Sequence, residues 1–202
     1  MSDTKQKILD VSLNMFSEKG FSAVSIRDIC ASVNIKESSV YYHFKNKRAI
    51  LDELLFVFEK EAADMMSALE QSLSVQSYNP QADFFQNVCD VFFEKYLMND
   101  FCNKIMRLLN IEQYGSPEMR LIYERWMFSK PLAFQGKVFS MLMNIGVIQA
   151  SDCGYLAIKY YAPIYMFAQR WLLSGPLNDE NKDLFRANAY HHIQMIFNEM
   201  GM

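Results

Sequence analysis

Residues that interrupt helices are scarce in this chain. It holds 7 Gly and 5 Pro among 202 residues, and Gly20 is the one glycine before position 115. That scarcity argues against many short strands joined by turns and favours long helices. Long apolar runs are missing too. None approaches the ~18 residues that a membrane span requires, and the opening Met1-Ser2-Asp3-Thr4-Lys5 has no signal-peptide core. The expectation is a cytoplasmic protein with no membrane partner. The four cysteines, Cys30, Cys89, Cys102 and Cys153, show no CxxC spacing and no histidine at ligand distance. Free buried thiols are expected, with no metal and no cofactor. Enzyme signatures are likewise absent. No Glu-x-x-His pair, nucleophile elbow, P-loop or dinucleotide loop occurs, and His191-His192 reads as a helix-surface or interface pair. No catalytic residue is expected.

Apolar side chains, in contrast, are plentiful. Hydrophobic residues make up 51% and aromatics 14% of the chain, which excludes disorder and supplies a substantial core. The net charge of −3 is unevenly spread. Residues 1–50 hold eight Lys and Arg against five Asp and Glu, a balance of +3, and residues 51–202 hold 12 against 18, a balance of −6. A basic head on an acidic body is the pattern of a local nucleic-acid footprint, although so small an excess also arises by chance.

Periodicity places a first helix over about Thr4–Lys19, with Ile8, Leu9, Ser12, Leu13 and Phe16 on one face. Gly20 suits the left-handed position that ends it, and Phe21 can fold back on its last turn. Ser25 opens a second helix as its cap, with Asp28 three residues on. Asn34 tolerates the left-handed turn that closes it. A short third helix covers about Lys36–Phe44, with Val40 and Phe44 inward, and Asn46 caps a long fourth helix.

The stretch from Ile8 to Leu54 resembles the DNA-binding head of the TetR family of transcription regulators. Three pieces carry the likeness at family spacing: Phe16 with Lys19-Gly20-Phe21, Ser25-Ile26-Arg27-Asp28-Ile29, and Tyr41-Tyr42-His43-Phe44-Lys45-Asn46-Lys47. The resemblance implies an all-α fold of about nine helices, with a helix-turn-helix DNA-binding domain over residues 1–46 and a ligand-binding and dimerisation domain over 47–202. It implies that Ser25 and Arg27 reach phosphates, that Glu37, Ser38, Ser39 and Tyr41 face base edges, and that Tyr42, His43 and Lys47 grip the backbone. Tyr42 also reads as a core-edge aromatic, His43 as a helix-end cap and Glu37 as a solvated helix-start charge. Asn34, Lys36 and Glu37-Ser38 depart from the family's habits, and Glu37 changes which bases are read. The implied function is a ligand-responsive transcription regulator, a repressor in the first reading with an activator left open by the sequence, that binds a palindromic double-stranded DNA operator as a homodimer and is released by a small apolar or amphipathic effector. The alternative is a ligand-binding or interaction protein whose head no longer reads DNA.

The rest of the chain reads as helices separated at Tyr78-Asn79-Pro80, Tyr114-Gly115-Ser116-Pro117, Gly146 and Ser174-Gly175-Pro176. Tyr160, Ile164, Phe167 and Trp171 form one apolar seam near the end, and Phe185, Ala189, Ile193 and Ile196 a second. Two such helices per subunit can build a four-helix interface, as the family does, although part of each seam belongs to the protomer core. Phe84, Phe92, Tyr96, Met106, Tyr123, Met127, Phe134 and Tyr161 are candidates to line an effector pocket, or to be plain core.

Overall fold

Nine helices account for the described residues of the computed structural model, which are 3–76 and 84–201, with side chains described for 3–73 and 87–201. They are α1 (Asp3–Lys19), α2 (Ile26–Val33), α3 (Glu37–His43), α4 (Lys47–Gln76), α5 (residues 84–97), α6 (Asp100–Glu112), α7 (residues 117–144), α8 (residues 153–173) and α9 (Asp179–Glu199). No strand occurs among the described residues. The all-α class and the helix number match the expectation.

Local chemistry explains the boundaries of the first four helices. Gly20 adopts φ +82° after α1, and the Phe21 ring returns to within 5.3 Å of Phe16. Ser25 and Asp28 form a reciprocal capping box at the start of α2. Asn34 ends α2 in the left-handed conformation, φ 58°. Asn46 Oδ1 accepts from the Ala49 amide at 2.9 Å, opening α4. Later, Asp152 accepts from the Gly154 and Tyr155 amides to start α8, and Asn178 accepts from the Asn181 amide to start α9.

The chain divides into two compact units. The first comprises residues 1–61 and 100–123, and so holds α1–α3, the start of α4, α6 and the start of α7. The head expected to end at Asn46 lies inside this larger unit. Its core is Ile8, Phe16, Ile29, Val40, Ile50 and Phe58 from the N-terminal helices, with Ile105, Met106 and Leu108 from α6. Glu112, at the end of α6, accepts the Phe21 amide at 2.8 Å, and its carboxylate occupies the space where a side chain at Gly20 would begin. Arg48 holds both oxygens of Glu118 at 2.7 Å and also reaches Asp52.

The second unit comprises residues 62–99 and 124–202. Phe93, Tyr96, Phe139, Tyr160, Leu172, Phe185 and Ala189 are among its buried side chains. Three of its helices contain a wide π turn: Phe93–Leu97 in α5, Arg125–Ser129 in α7 and Ala168–Leu173 in α8. The turn in α7 has a visible cause. Pro131 has no N–H to give the Met127 carbonyl, its α-helical partner, or the Trp126 carbonyl, its π partner. Two tyrosine hydroxyls serve those carbonyls instead: Tyr161 donates to Met127 O at 2.7 Å and Tyr96 to Trp126 O at 3.1 Å. The helix thus changes pitch just before Pro131 and does not break there.

Candidate nucleic-acid interface

α3 is a seven-residue helix whose inward face is Val40, followed by the buried Phe44. That anchoring turns the remaining side chains outward. Tyr41 is 52% and Tyr42 84% exposed. Glu37 and Ser38 are exposed, while Ser39 and His43 are half-buried. The His43 ring meets the Tyr42 ring edge-on at 4.9 Å. Ser38, Ser39, Tyr42 and His43 border an open recess that Thr4 closes from α1. Lys36 precedes the helix in extended backbone and makes no side-chain cap, so the first turn of α3 rests on the turn from α2 and on Val40. A small helix-turn-helix platform of this kind displays one helix face for base-edge contacts.

Several residues expected to touch DNA have partners within the protein. The Ser25 hydroxyl lies 2.6 Å from the Asp28 carboxylate and also accepts the Asp28 amide, while the Ser25 amide donates to Asp28. These bonds from Ser25 hold the Asp28 carboxyl below its ordinary range. Arg27 pairs with Glu37 at 3.2 Å on the surface. Exposed pairs of this type contribute about 0–1 kcal/mol, so a phosphate can take Arg27 from Glu37 at little cost. Lys45 is exposed.

Lys47 differs most from its expected role. Its ammonium donates to Phe21 O at 2.8 Å and Val24 O at 2.6 Å, and sits 4.2 Å from the centre of the Phe21 ring. It ties the start of α4 to the loop that leads into α2. This role escapes sequence reading because its partners are backbone carbonyls more than twenty residues away.

The expected effector pocket is only partly assembled as proposed. Phe92, Phe134 and Tyr161 line a cavity in the second unit, and Met66, Leu69, Val88, Cys89, Phe93, Pro131, Gln135, Tyr160 and Ile164 complete its wall. Tyr96 and Met127 are core residues beside it that hold the π turn of α7. Met106 and Tyr123 are buried in the first unit and are not among the residues that line this cavity. The side chain of Phe84 lies outside the described residues.

The two apolar seams also divide differently. Tyr160, Ile164, Phe185, Ala189, Ile193 and Ile196 are buried inside the protomer, and Phe167 and Trp171 are half-buried. Tyr160 and Ile164 are cavity wall, and the Tyr160 carbonyl lies 3.0 Å from His192 Nε2. The face of α8 that remains exposed carries Tyr155, Ile158, Ala162 and Met166, with Met195 exposed on α9. Both faces are apolar at helical spacing, and periodicity alone does not say which one the protomer buries. The cysteines are all free, and no cluster of metal-ligating side chains occurs among the described residues. No helix among them is long and apolar enough to cross a membrane.

Residues 8–54 match the model for bacterial regulatory proteins of the tetR family. Over 49 residues the chain is 47% identical to IcaR, the negative transcriptional regulator of the biofilm operon icaADBC in Staphylococcus aureus, covering 24% of this chain and 26% of IcaR. The chain thus spans about a quarter of that relative's length. It is 25% identical to YttP, a probable HTH-type transcriptional regulator of Bacillus subtilis, over 65% of this chain and 61% of YttP. These relatives are regulators, not enzymes. Among solved structures, SmeT, the repressor of the Stenotrophomonas maltophilia multidrug efflux pump SmeDEF, superposes with a TM-score of 0.62 at 19% identity, covering 98% of this chain and 90% of SmeT. Residues 8–54 therefore belong by sequence to the tetR family of bacterial regulatory proteins, and the described chain has the fold of TetR-family regulators.

Proposed function

We propose that this protein is a cytoplasmic transcription repressor that binds a palindromic double-stranded operator as a homodimer and lets go when a small effector enters its second unit. Residues 1–46 act as the DNA-reading domain and residues 47–202 as the sensing and dimerising body. The observation that carries the reading is the outward face of α3. Two tyrosines, two serines and a glutamate stand exposed or half-exposed on a helix fixed from behind by Val40 and Phe44. A short, rigidly backed helix face with hydrogen-bonding side chains is what reading the major groove requires.

Each contact has a part in this scheme. Arg27, His43 and Tyr42 meet phosphates, while Ser38, Ser39 and Tyr41 face base edges, with Glu37 free to accept from cytosine once Arg27 has left it. Ser25 and Lys47 fix the angle at which α2 and α4 leave the turn. Two heads reading two half-sites require a symmetric dimer. The exposed stripe Tyr155–Ile158–Ala162–Met166 on α8, together with Met195, supports pairing through the last two helices. A cavity within the second unit supports the effector, and SmeT has been solved in complex with triclosan. α4 begins in the first unit and ends in the second, so a ligand that prefers one conformation of the body shifts the heads by its differential affinity.

The test is selection of bound sequences from a random duplex pool by the full chain. A palindromic consensus, bound by a dimer with a steep salt dependence, is the expected result. A folded dimer that enriches no sequence would favour the alternative, a ligand-binding or interaction protein with an idle head.

A further inference from the structure

The cavity in the second unit has a wall of unusual uniformity. Not one of its twelve lining residues is charged. Two charged residues next to lining positions in the chain are occupied elsewhere: Asp90 accepts from the Tyr190 hydroxyl at 2.8 Å, and Glu70 pairs with Lys137 at 2.8 Å. Its polar atoms are few. The Tyr161 hydroxyl is spent on the Met127 carbonyl. Cys89 Sγ and Tyr160 Oη lie 3.6 Å apart and share one hydrogen bond, which leaves one donor hydrogen of the pair free. Burial pushes the Cys89 thiol up to about 11, so it is a neutral group at any physiological pH. Gln135 adds one amide.

The space itself is nearly shut. It admits about 10 Å³ for the centre of a water molecule, which is room for one water. A ligand of useful size must therefore push the lining apart. Met66 and the half-buried Phe92 are the adaptable members. Opening such a wall around an ion would bury a charge with no counter-charge and almost no hydrogen-bond donors.

We propose that this cavity takes an uncharged, largely apolar ligand with one or two neutral hydrogen-bonding groups, and rejects carboxylates, phosphates and ammonium ions. The inference rests on reading the second unit as the effector-sensing part, and it narrows that reading: an amphipathic effector with an ionised head does not fit. The single amide of Gln135 and the Cys89–Tyr160 pair are the groups that orient a hydroxyl or carbonyl on the ligand. Because the site is closed, binding and a shift of the lining helices are one event. That is what gives a ligand differential affinity for two states of the body.

The test uses the full-length protein and probes matched on one frame: naphthalen-1-ylmethanol against 1-naphthoate, and decan-1-ol against decanoate and decyltrimethylammonium. Calorimetry should find a neutral member binding about a hundredfold or more tighter than its ionised partners. The residual affinity of 1-naphthoate should fall tenfold per pH unit on the alkaline side of its own pKa, since only its neutral acid enters. Ile164→Phe, which fills the cavity, should abolish binding. Should that variant fail to fold, Gln135→Leu should weaken naphthalen-1-ylmethanol while sparing naphthalene. An ionised member that binds as tightly as its neutral partner overturns the proposal. So does the failure of every neutral member to bind, or neutral binding that neither variant alters. The effector role is judged separately on the selected duplex. Neutral probes that bind as described yet leave duplex affinity unchanged would sink that role and keep the ligand class.

Discussion

The two units of this protein keep their polar chemistry in opposite places. In the first, hydrogen-bonding side chains crowd the surface of α3 and the turns beside it, and charged groups tie loop to helix, Lys47 to Phe21 and Val24 and Glu112 to Phe21, and helix to helix, Arg48 to Glu118. In the second, the polar groups around the cavity and the π turn of α7 are turned inward. Tyr96 and Tyr161 serve the carbonyls left by Pro131, and Cys89 and Tyr160 share one hydrogen bond. A surface built to meet an outside partner keeps its donors in water. A cavity built to open must first satisfy most of its donors internally, because a buried orphan costs about 1–3 kcal/mol.

The sharpest way to break this comparison is at Lys47. If it is chiefly a tie, Lys47→Ala should destabilise the protein by about 2–3 kcal/mol, the cost of losing charge-assisted bonds to half-buried carbonyls. Operator affinity should fall with it. Equilibrium denaturation in urea separates the two roles. A variant of unchanged stability with weakened DNA binding would return Lys47 to the phosphate-gripping part that its position in the head first suggested.

The next effect belongs to the second unit. Tyr161→Phe removes the hydroxyl from the Met127 carbonyl and should cost about 1–3 kcal/mol. Pro131→Ala supplies the missing N–H, so the same Tyr161→Phe change made in that background should cost less. The coupling in this double-mutant cycle should reach at least about 0.5 kcal/mol. Additive costs would show that the tyrosine and the proline do not share the π turn.

A smaller effect on stability, but a large one on binding, is expected at Tyr41. It is half-exposed on the outward face of α3. Tyr41→Ala should change stability by no more than about 0.5 kcal/mol while weakening operator binding about tenfold, a loss within the range of a single base-edge contact. Unchanged affinity in a titration against the selected duplex would remove α3 from the reading face.

The same contrast explains what the sequence made legible. Elements set by neighbours in the chain were readable: the Gly20 turn, the Ser25 cap with Asp28 three residues on, Asn34 in the left-handed region, and the Asn46 start. Each is a bargain between residues two to four apart. The α3 surface was readable because Val40 and Phe44 fix it from a short span. The cavity was not, because its wall is drawn from α4, α5, α7 and α8. The period of α8 offers two apolar faces, and only the packing of the other helices decides that Tyr160 and Ile164 turn inward while Ile158 and Met166 stay out. Met106 and Tyr123 went to the first unit for the same reason: α6 and the start of α7 pack there, despite following residues that belong to the second.

The smallest effect concerns the box at the start of α2, and its sign can be worked out. Bonds from Ser25 hold the folded Asp28 carboxyl below its ordinary 3.8. A carboxyl depressed in the folded state adds stability that is present above the unfolded value and drains away as pH falls through the folded one. Stability should therefore decline with acid below about pH 4. Asp28→Asn should flatten the part of that decline due to this site, and it should cost little at neutral pH, because the amide oxygen can still accept from Ser25. The residue is fully open to solvent, so the slope will be shallow and best read as the difference between the two proteins' urea midpoints across pH 3 to 6. If the two curves run parallel, the box positions α2 without any help from charge. The angle of α2 against α3 would then depend on the hydrogen bonds alone, and the same DNA-reading surface should persist in acid.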